Sequence, residues 1–229
     1  KMKKLLTYFI FPVIIVLLAY LIVKGINNPV KFENERSLRE KEAVTILKDI
    51  RTLQVAYKNA NAKYAPSMDS LIDFYKNGQM TILMQIGSND DSVAVAHTAA
   101  IRKAKGNKFT NLDLYQLYLA GDKNLVFSVP NKVPVKDTLF NNRPDFNPEK
   151  LRYIPFSGGD TVLMKETIKV VSGVNVPLFE AGMPFTSLLK DMDKQLIINL
   201  VALRNDTGRY PGLLVGSIEN PNNNAGNWE

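Results

Sequence analysis

An uncharged apolar segment near the start of the sequence restricts the fold of this chain more than any other feature. It reads LLTYFIFPVIIVLLAYLIV and runs from Leu5 to Val23. As an α-helix it would be about 28 Å long, close to the thickness of a bilayer's hydrocarbon core. Tyr8 and Tyr20 lie near its ends, where amphipathic rings favour the interface, and Pro12 is tolerated in a helix within lipid. We therefore predict a transmembrane anchor.

A cleaved signal peptide is the competing interpretation of this segment. The apolar region of a signal peptide is usually about 7 to 15 residues long and ends in a small-x-small site. The sequence KGINNP that follows the segment, residues 24–29, offers no such site. We therefore expect the anchor to stay on the chain.

The positive charge of the chain is concentrated beside the apolar segment. The formal net charge is +7, and Lys1, Lys3, Lys4 and Lys24 flank the segment. Long basic runs of the kind that follow a phosphate backbone are missing, so we expect no nucleic-acid partner. The lysines before the segment favour a cytoplasmic N-terminus. This predicts a single-pass inner-membrane protein with a periplasmic C-terminal domain.

Composition also excludes several kinds of site. The chain has no cysteine and one histidine, His97. Disulfides, zinc–thiolate sites and cysteine nucleophiles are therefore excluded, and a histidine-based metal centre is disfavoured. The acidic and amide clusters lack the alternating spacing of a calcium loop. We expect no catalytic residues, metal or cofactor.

An amphipathic helix is predicted after the anchor. Residues 25–29 are expected to end the anchor helix, and residues 25–36 are expected to form a linker. A capping box at Ser37 is expected to begin the new helix. Apolar residues then recur at steps of three and four, which indicates one buried face. This packing stripe includes Ile46, Ile50, Leu53, Tyr57 and Tyr64. The helix should end near Asn61, before Pro66.

The remaining sequence alternates helices and strands. A short helix capped by Ser67 is expected to stop at residues 77–78, and helices are expected within residues 92–119. Strands are predicted at residues 80–86, 125–135, 151–156, 161–171 and 174–182, the last two joined by a Ser172-Gly173 hairpin turn. Residues 195–203 fit a helix or a strand. The pattern predicts an α+β domain over residues 37–229, after an anchor at residues 1–24.

The order of these elements resembles type IV pilins and type II secretion pseudopilins. The local match is DIRTLQVAYKNANAKYAPSMDSL, Asp49 to Leu71, where a helix ends in a Tyr-x-Pro turn before a short helix; RNDTGRYPGLL, Arg204 to Leu214, has a similar ending. The resemblance implies a pilin-like fold, with a long amphipathic helix packed on a mostly antiparallel sheet. Filament-forming pilins carry a glutamate early in the apolar segment, whereas the first acidic residue here is Glu33. The resemblance therefore implies an unprocessed relative.

The whole chain also resembles inner-membrane proteins of Bacteroidota, which implies a source but no activity. Asp-Ser/Thr followed by an apolar residue resembles the O-glycosylation pattern of exported proteins from these bacteria. It occurs at Ser70, Ser92, Thr138 and Thr161. Asp-Ser/Thr pairs also form caps and turns. We predict that at least one of these residues carries a glycan.

Two classes of function remain. The first is a non-enzymatic structural component of an envelope-spanning complex, such as a type II secretion-like or pilus-like export machine. Its partners would be other inner-membrane or periplasmic subunits, in a hetero-oligomer or a homo-oligomer. The second is a membrane-tethered periplasmic module that binds a peptide, glycan or lipoprotein. An enzyme would need several acids gathered around one nucleophile, and the sequence does not indicate this.

Overall fold

The computed structural model describes residues 10–229, apart from the side chains of residues 22–24 and 26. It is α+β, as predicted, with helices and two small antiparallel sheets. The described chain divides into two compact units, where the sequence predicted one domain over residues 37–229. Unit one contains the described residues up to Val55, together with Tyr64–Ser70 and Asn147–Glu229. Unit two contains Ala56–Lys63 and Leu71–Phe146.

The first helix, α1, runs without interruption from Phe11 to Asn61. The predicted break at residues 25–29 and the predicted helix start at Ser37 are therefore wrong. Pro29 lies inside the helix and lacks the N–H that would bond the Gly25 carbonyl. Both residues are exposed, so water can reach that carbonyl and the helix continues through residues 25–36.

The end of α1 agrees with the sequence prediction. The helix stops at Asn61, and Ala62 follows with a positive φ of 61°. This left-handed conformation is a common way to end a helix. The next helix, α2, spans Met68–Asn77. The Ser67 hydroxyl accepts a hydrogen bond from the backbone N–H of Ser70 at 3.2 Å, as expected of a cap.

Unit one contains a three-stranded antiparallel sheet. Strands β3 (Leu163–Val171) and β4 (Val174–Pro184) form a hairpin. Its turn is the predicted Ser172-Gly173 pair, and both residues have positive φ, at 51° and 81°. The sequence did not predict β5 (Gly212–Gly216), which pairs with β4 only from Glu180 to Pro184.

The other elements of unit one are short. A 3-10 helix occupies Pro148–Arg152, so the predicted strand at residues 151–156 is wrong, although Tyr153 forms an isolated bridge with Thr161. Pro148 at the first turn and the capping side chain of Asn147 favour the 3-10 helix. The sequence before β5 forms α6 (Phe185–Leu188) and α7 (Lys194–Asp206). Residues 195–203, which fitted either class, are thus helical.

The core of unit one lies where α1 faces the sheet. Leu47, Ile50 and Leu53 of α1 are completely buried. On the sheet, Phe179 and Ala181 of β4 are also completely buried, as are other residues of the same sheet face. Burying each large apolar side chain contributes about 1.5–3 kcal/mol, so this contact supplies much of the stability of unit one.

Unit two is built on a two-stranded antiparallel sheet. Strands β1 (Gln79–Ile86) and β2 (Phe127–Pro134) pair along their full length. Helices α3 (Ser92–Lys105) and α4 (Asn111–Leu119) connect them, and the short α5 (Val135–Thr138) follows β2. The core of this unit contains Ile86, Leu114, Leu125, Phe127 and Val129. The two helices within residues 92–119 agree with the prediction.

Candidate functional site

The N-terminal end of α1, residues 11–21, exposes apolar side chains around its whole circumference. Val13, Ile15 and Val16 are 65–69% exposed, and Ile14 and Leu17 are 41% and 54% exposed. We call these residues the apolar helix end. A helix that is apolar all round is normally buried in a core or in lipid. Exposed apolar area of this extent indicates an interaction surface.

The predicted anchor only partly overlaps the described chain. Pro12 and Tyr20 lie in the apolar helix end, and the backbone of Val23 continues the helix. Leu5 and Tyr8 lie outside the described residues. Among residues 10–229, no helix has a stretch that is both long and apolar enough to be a candidate membrane span.

The predicted packing stripe is buried to different degrees. Ile50, Leu53 and Tyr64 are at most 2% exposed and belong to unit one. Ile46 is half-buried. Tyr57 belongs to unit two, where its ring packs edge-on against Phe74 with centroids 5.1 Å apart. The stripe is therefore a packing surface, although its members are divided between the two units.

Tyr64 closes one end of the core of unit one. Its ring lies 4.7 Å from that of Phe179, measured between centroids. Its hydroxyl lies 3.1 Å from Oδ1 of Asn224. The segment that follows α1, residues 63–66, therefore places the ring of Tyr64 against β4 and its hydroxyl against the C-terminal residues.

Sequence reasoning missed a buried amide on α1. Gln54 is completely buried, and its Nε2 donates to the Ala65 carbonyl at 3.1 Å. Its Oε1 accepts from the Ala65 backbone N–H at 2.8 Å. One side chain thus satisfies both buried backbone groups of Ala65 and fixes the segment after the helix. A polar residue among the apolar positions of the stripe was the only signal in the sequence.

A buried arginine fastens α1 to the segment before α7. Arg39 is 6% exposed, and its guanidinium contacts both carboxylate oxygens of Asp191 and the Leu188 carbonyl. It also binds Glu35 and lies 4.6 Å from the ring centroid of Phe156. The hydrogen bond from Arg39 lowers the pKa of the Asp191 carboxyl. The ion pair raises the pKa of Arg39. Sequence analysis did not single out either residue.

The C-terminal residues bind along β5. Asn227 donates its backbone N–H to the Leu214 carbonyl at 2.9 Å. Its side chain accepts from the Leu214 N–H and donates to the Gly212 carbonyl. Arg51 binds Glu229 at 2.7 Å and lowers the pKa of that carboxyl. These contacts order the tail, and they cover the outer edge of β5.

The four glycosylation candidates differ in exposure. Ser92 and Thr161 are exposed, whereas Ser70 and Thr138 are half-buried. The Ser70 hydroxyl is hydrogen-bonded to that of Ser67 at 3.0 Å. The Thr138 hydroxyl donates to the Pro134 carbonyl. Glycan attachment requires an accessible hydroxyl, so the structure favours Ser92 and Thr161.

We predict that replacing both Ser92 and Thr161 by alanine removes the glycan mass from the chain isolated from its native cells. Intact-mass measurement of the wild type and the double variant checks this. The matched control is the double replacement of Ser70 and Thr138, which should leave the mass of the glycan unchanged. A glycan that persists in the first variant and disappears in the second would contradict the assignment.

Other polar groups serve local structure. Asp91 caps α3 by accepting hydrogen bonds from the N–H groups of Val93 and Ala94. His97 lies on α3 and contacts Asp122 at 2.8 Å. Within residues 10–229, no group of three or more acidic or histidine side chains could hold a metal ion. The clearest candidate functional feature is therefore a surface, the apolar helix end.

This surface belongs to the same helix that forms the core of unit one. Comparison with known proteins adds no relative from which a role could be transferred. No protein-family model, no curated protein and no solved structure matches the chain.

Proposed function

We propose that the chain is a non-enzymatic structural component of an inner-membrane complex, of the type II secretion-like or pilus-like kind. One observation carries this proposal: α1 is a single helix with an exposed apolar end and a buried apolar stripe. The buried stripe is matched by the sheet of unit one. The exposed end needs a different apolar surrounding, and lipid is the surrounding that accepts an all-round apolar helix.

The proposed anchor is the segment Leu5–Val23, with its N-terminus in the cytoplasm. Residues 25–229 then lie in the periplasm, in agreement with the lysines that precede the segment. Since residues 25–36 are helical, the described part of the anchor, from Phe11 onwards, continues into the core of unit one as one helix, without a flexible linker.

The membrane-tethered binding module is the alternative proposal, and the cavities of unit one are the places where it could hold a ligand. The cavity lined by Leu163, Gly182, Tyr210 and Leu214 has a volume of about 150 Å³. Ligand pockets are typically about 300–1,000 Å³ and mostly apolar. Two other cavities lie at the lower end of this range. One, of about 310 Å³, is lined by Asn28, Lys31, Phe32, Glu35, Met192 and Asp193, and the other, of about 420 Å³, by Ile154, Gly159, Asp160, Thr161, Leu163, Pro184 and Ser187.

The proposal is tested by fractionating cells that contain the full chain. We expect it in the membrane fraction after an alkaline wash, and together with other inner-membrane proteins in mild detergent. The double variant Ile14→Lys, Leu17→Lys should move to the soluble fraction, because each lysine near the centre of a span costs about 2.5–3.5 kcal/mol.

The matched control places lysines on the same helix outside the proposed span. Val30 and Leu38 are 54% and 62% exposed. The double variant Val30→Lys, Leu38→Lys should remain in the membrane. Recovery of the wild-type chain in the soluble fraction would overturn the proposed anchor, and a purely monomeric species in mild detergent would overturn the complex.

A further inference from the structure

The cavity of about 310 Å³ in unit one lies between α1 and the start of α7. We call it the α1–α7 cavity. Its lining residues are Asn28, Lys31, Phe32, Glu35, Met192 and Asp193. Phe32 is buried and Met192 is half-buried, whereas the four polar side chains are exposed or half-buried. The cavity therefore combines an apolar floor with a polar and charged rim.

Three charged groups on the rim have bonding capacity that the fold does not use. Lys31 is exposed, and within residues 10–229 its ammonium forms no ion pair. Asp193 caps α7 through Oδ1 alone, which accepts from the N–H groups of residues 195 and 196, so Oδ2 is left for another donor. Glu35 accepts from Arg39 through Oε1, which leaves its Oε2. The rim thus offers one cation and two carboxylate oxygens to a ligand.

The charges follow a definite order along α1, away from the proposed anchor. Asn28, Lys31 and Glu35 lie about 8, 12 and 18 Å of helix beyond Val23. The headgroup layer outside the hydrocarbon core is about 5–8 Å thick on each side. Helical side chains tilt towards the N-terminus of their helix, so the long Lys31 side chain extends back towards that layer. Moving away from the membrane, the cation therefore comes before the acid.

This order matches a phospholipid headgroup that is a zwitterion with an ammonium at its outer end. In phosphatidylethanolamine the phosphate lies next to the glycerol, and the ammonium lies outside it. The Lys31 ammonium can pair with the phosphate. The free oxygens of Glu35 and Asp193 can accept the N–H donors of the ligand ammonium, in charge-assisted hydrogen bonds.

Other headgroups fit the rim less well. A choline group has no N–H to donate and is recognised by exposed aromatic faces. The single aromatic residue of the lining, Phe32, is buried. An anionic headgroup without an ammonium would bring negative charge to Glu35 and Asp193, and like charges repel. The lining therefore selects a phosphate that carries a primary ammonium.

We propose that the α1–α7 cavity binds the phosphoethanolamine headgroup of a membrane phospholipid. The choice of a lipid as the source rests on the proposed function, which puts the cavity next to the membrane surface. The zwitterionic chemistry of the ligand rests on the cavity itself, through the cation, the two acids and their order along α1.

The experiment titrates the purified, delipidated full chain in mild detergent with phosphatidylethanolamine, and native mass spectrometry counts the bound lipid. We expect one phosphatidylethanolamine per chain, and binding of phosphatidylcholine and phosphatidylglycerol that is at least about tenfold weaker. Lys31→Gln should weaken the binding of phosphatidylethanolamine by about tenfold, because the phosphate loses its cation. Asp193→Asn should also weaken it, although asparagine keeps the cap of α7.

The matched controls remove the same charges from other parts of the two helices. Lys41 on α1 and Asp206 on α7 are exposed and do not line the cavity. Lys41→Gln and Asp206→Asn should bind the lipid like the wild type, and all four variants should unfold at the wild-type temperature. Equal binding of phosphatidylglycerol or phosphatidylcholine, unchanged binding by Lys31→Gln, or no bound lipid would overturn the inference.

Glycerophosphoethanolamine, which has the same headgroup without acyl chains, separates a lipid from a soluble ligand. We expect it to compete with the lipid only at a much higher concentration. Equal affinity for this compound would overturn the lipid as the source. Cell fractionation is scored separately. A chain that stays in the membrane but binds no phosphatidylethanolamine would leave the proposed function standing, and a soluble chain that binds it would overturn the anchor while supporting the headgroup chemistry.

Discussion

Replacing Gln54 by methionine is expected to destabilise unit one by about 3 kcal/mol, because a buried N–H and a buried carbonyl lose their partners. Both groups belong to Ala65, which is itself completely buried, so water cannot replace the amide. Methionine keeps most of the side-chain volume, and the loss therefore reports on hydrogen bonding. Gln54→Ala should be destabilised further, since it also leaves a cavity.

Urea unfolding of the full chain in mild detergent measures this effect. Trp228 is the only tryptophan and belongs to unit one, so its fluorescence reports on that unit. The matched control is Asn34→Met, which changes an exposed amide on the same helix and should alter stability by at most about 0.5 kcal/mol. Equal unfolding of Gln54→Met and the wild type would show that the Gln54–Ala65 pair has no net effect on stability.

Gln54 shows what the sequence predicts about a buried residue and what it does not. Steps of three and four residues identified the buried face of α1, because that periodicity follows from helix geometry. The same pattern cannot say which polar side chain on the face meets a distant backbone group. Ala65 is reached only after the chain turns at the end of the helix. Arg39 and Asp191 are likewise far apart in the sequence, where all the residues of unit two lie between them.

The errors in secondary structure also have physical causes. Gly25 and Pro29 have low helix propensity, and their cost of about 1 and 3 kcal/mol predicted a break. The helix has 51 residues and needs no new nucleation on either side of the proline, so it continues in spite of this local cost. In contrast, turns that depend on local chemistry, such as Ser172-Gly173 and the Ser67 cap, were predicted correctly. β5 was missed because its short run, GLLVG, gains strand character only by pairing with β4 and the C-terminal residues.

The functional features also differ in how far the sequence predicts them. The apolar helix end is evident in the sequence, because a run of apolar residues without charge is a local property. The exposure of Val170 and Val174 at the end of the β3–β4 hairpin is not evident, because these valines look like ordinary strand residues until the register shows that β5 pairs with β4 only from Glu180 to Pro184. The exposure of a side chain depends on the whole folded unit, so it is hard to predict from a single sequence.

Arg39→Met is the second substitution for which we expect a large effect, a loss of about 2 kcal/mol from unit one. The Leu188 carbonyl and the Asp191 carboxylate both lose their donor, and the ring of Phe156 loses a cation above it. Asp191 is 63% exposed in its side chain, so water recovers part of the lost interaction and limits the effect. Urea unfolding followed by Trp228 fluorescence measures the change.

The neighbouring Arg36 supplies the control, and pH supplies a second test of the same contact. Arg36 forms ion pairs with Glu33 and Glu40 of the same helix, so Arg36→Met should cost less than about 1 kcal/mol. Because Arg39 lowers the pKa of Asp191 in the folded protein, the ion pair contributes fully above the ordinary value of 3.8. Its contribution is lost as the pH falls through the lowered pKa, so the difference between the wild type and Arg39→Met should narrow there. A difference independent of pH would assign the effect to the Leu188 carbonyl and Phe156, and not to Asp191.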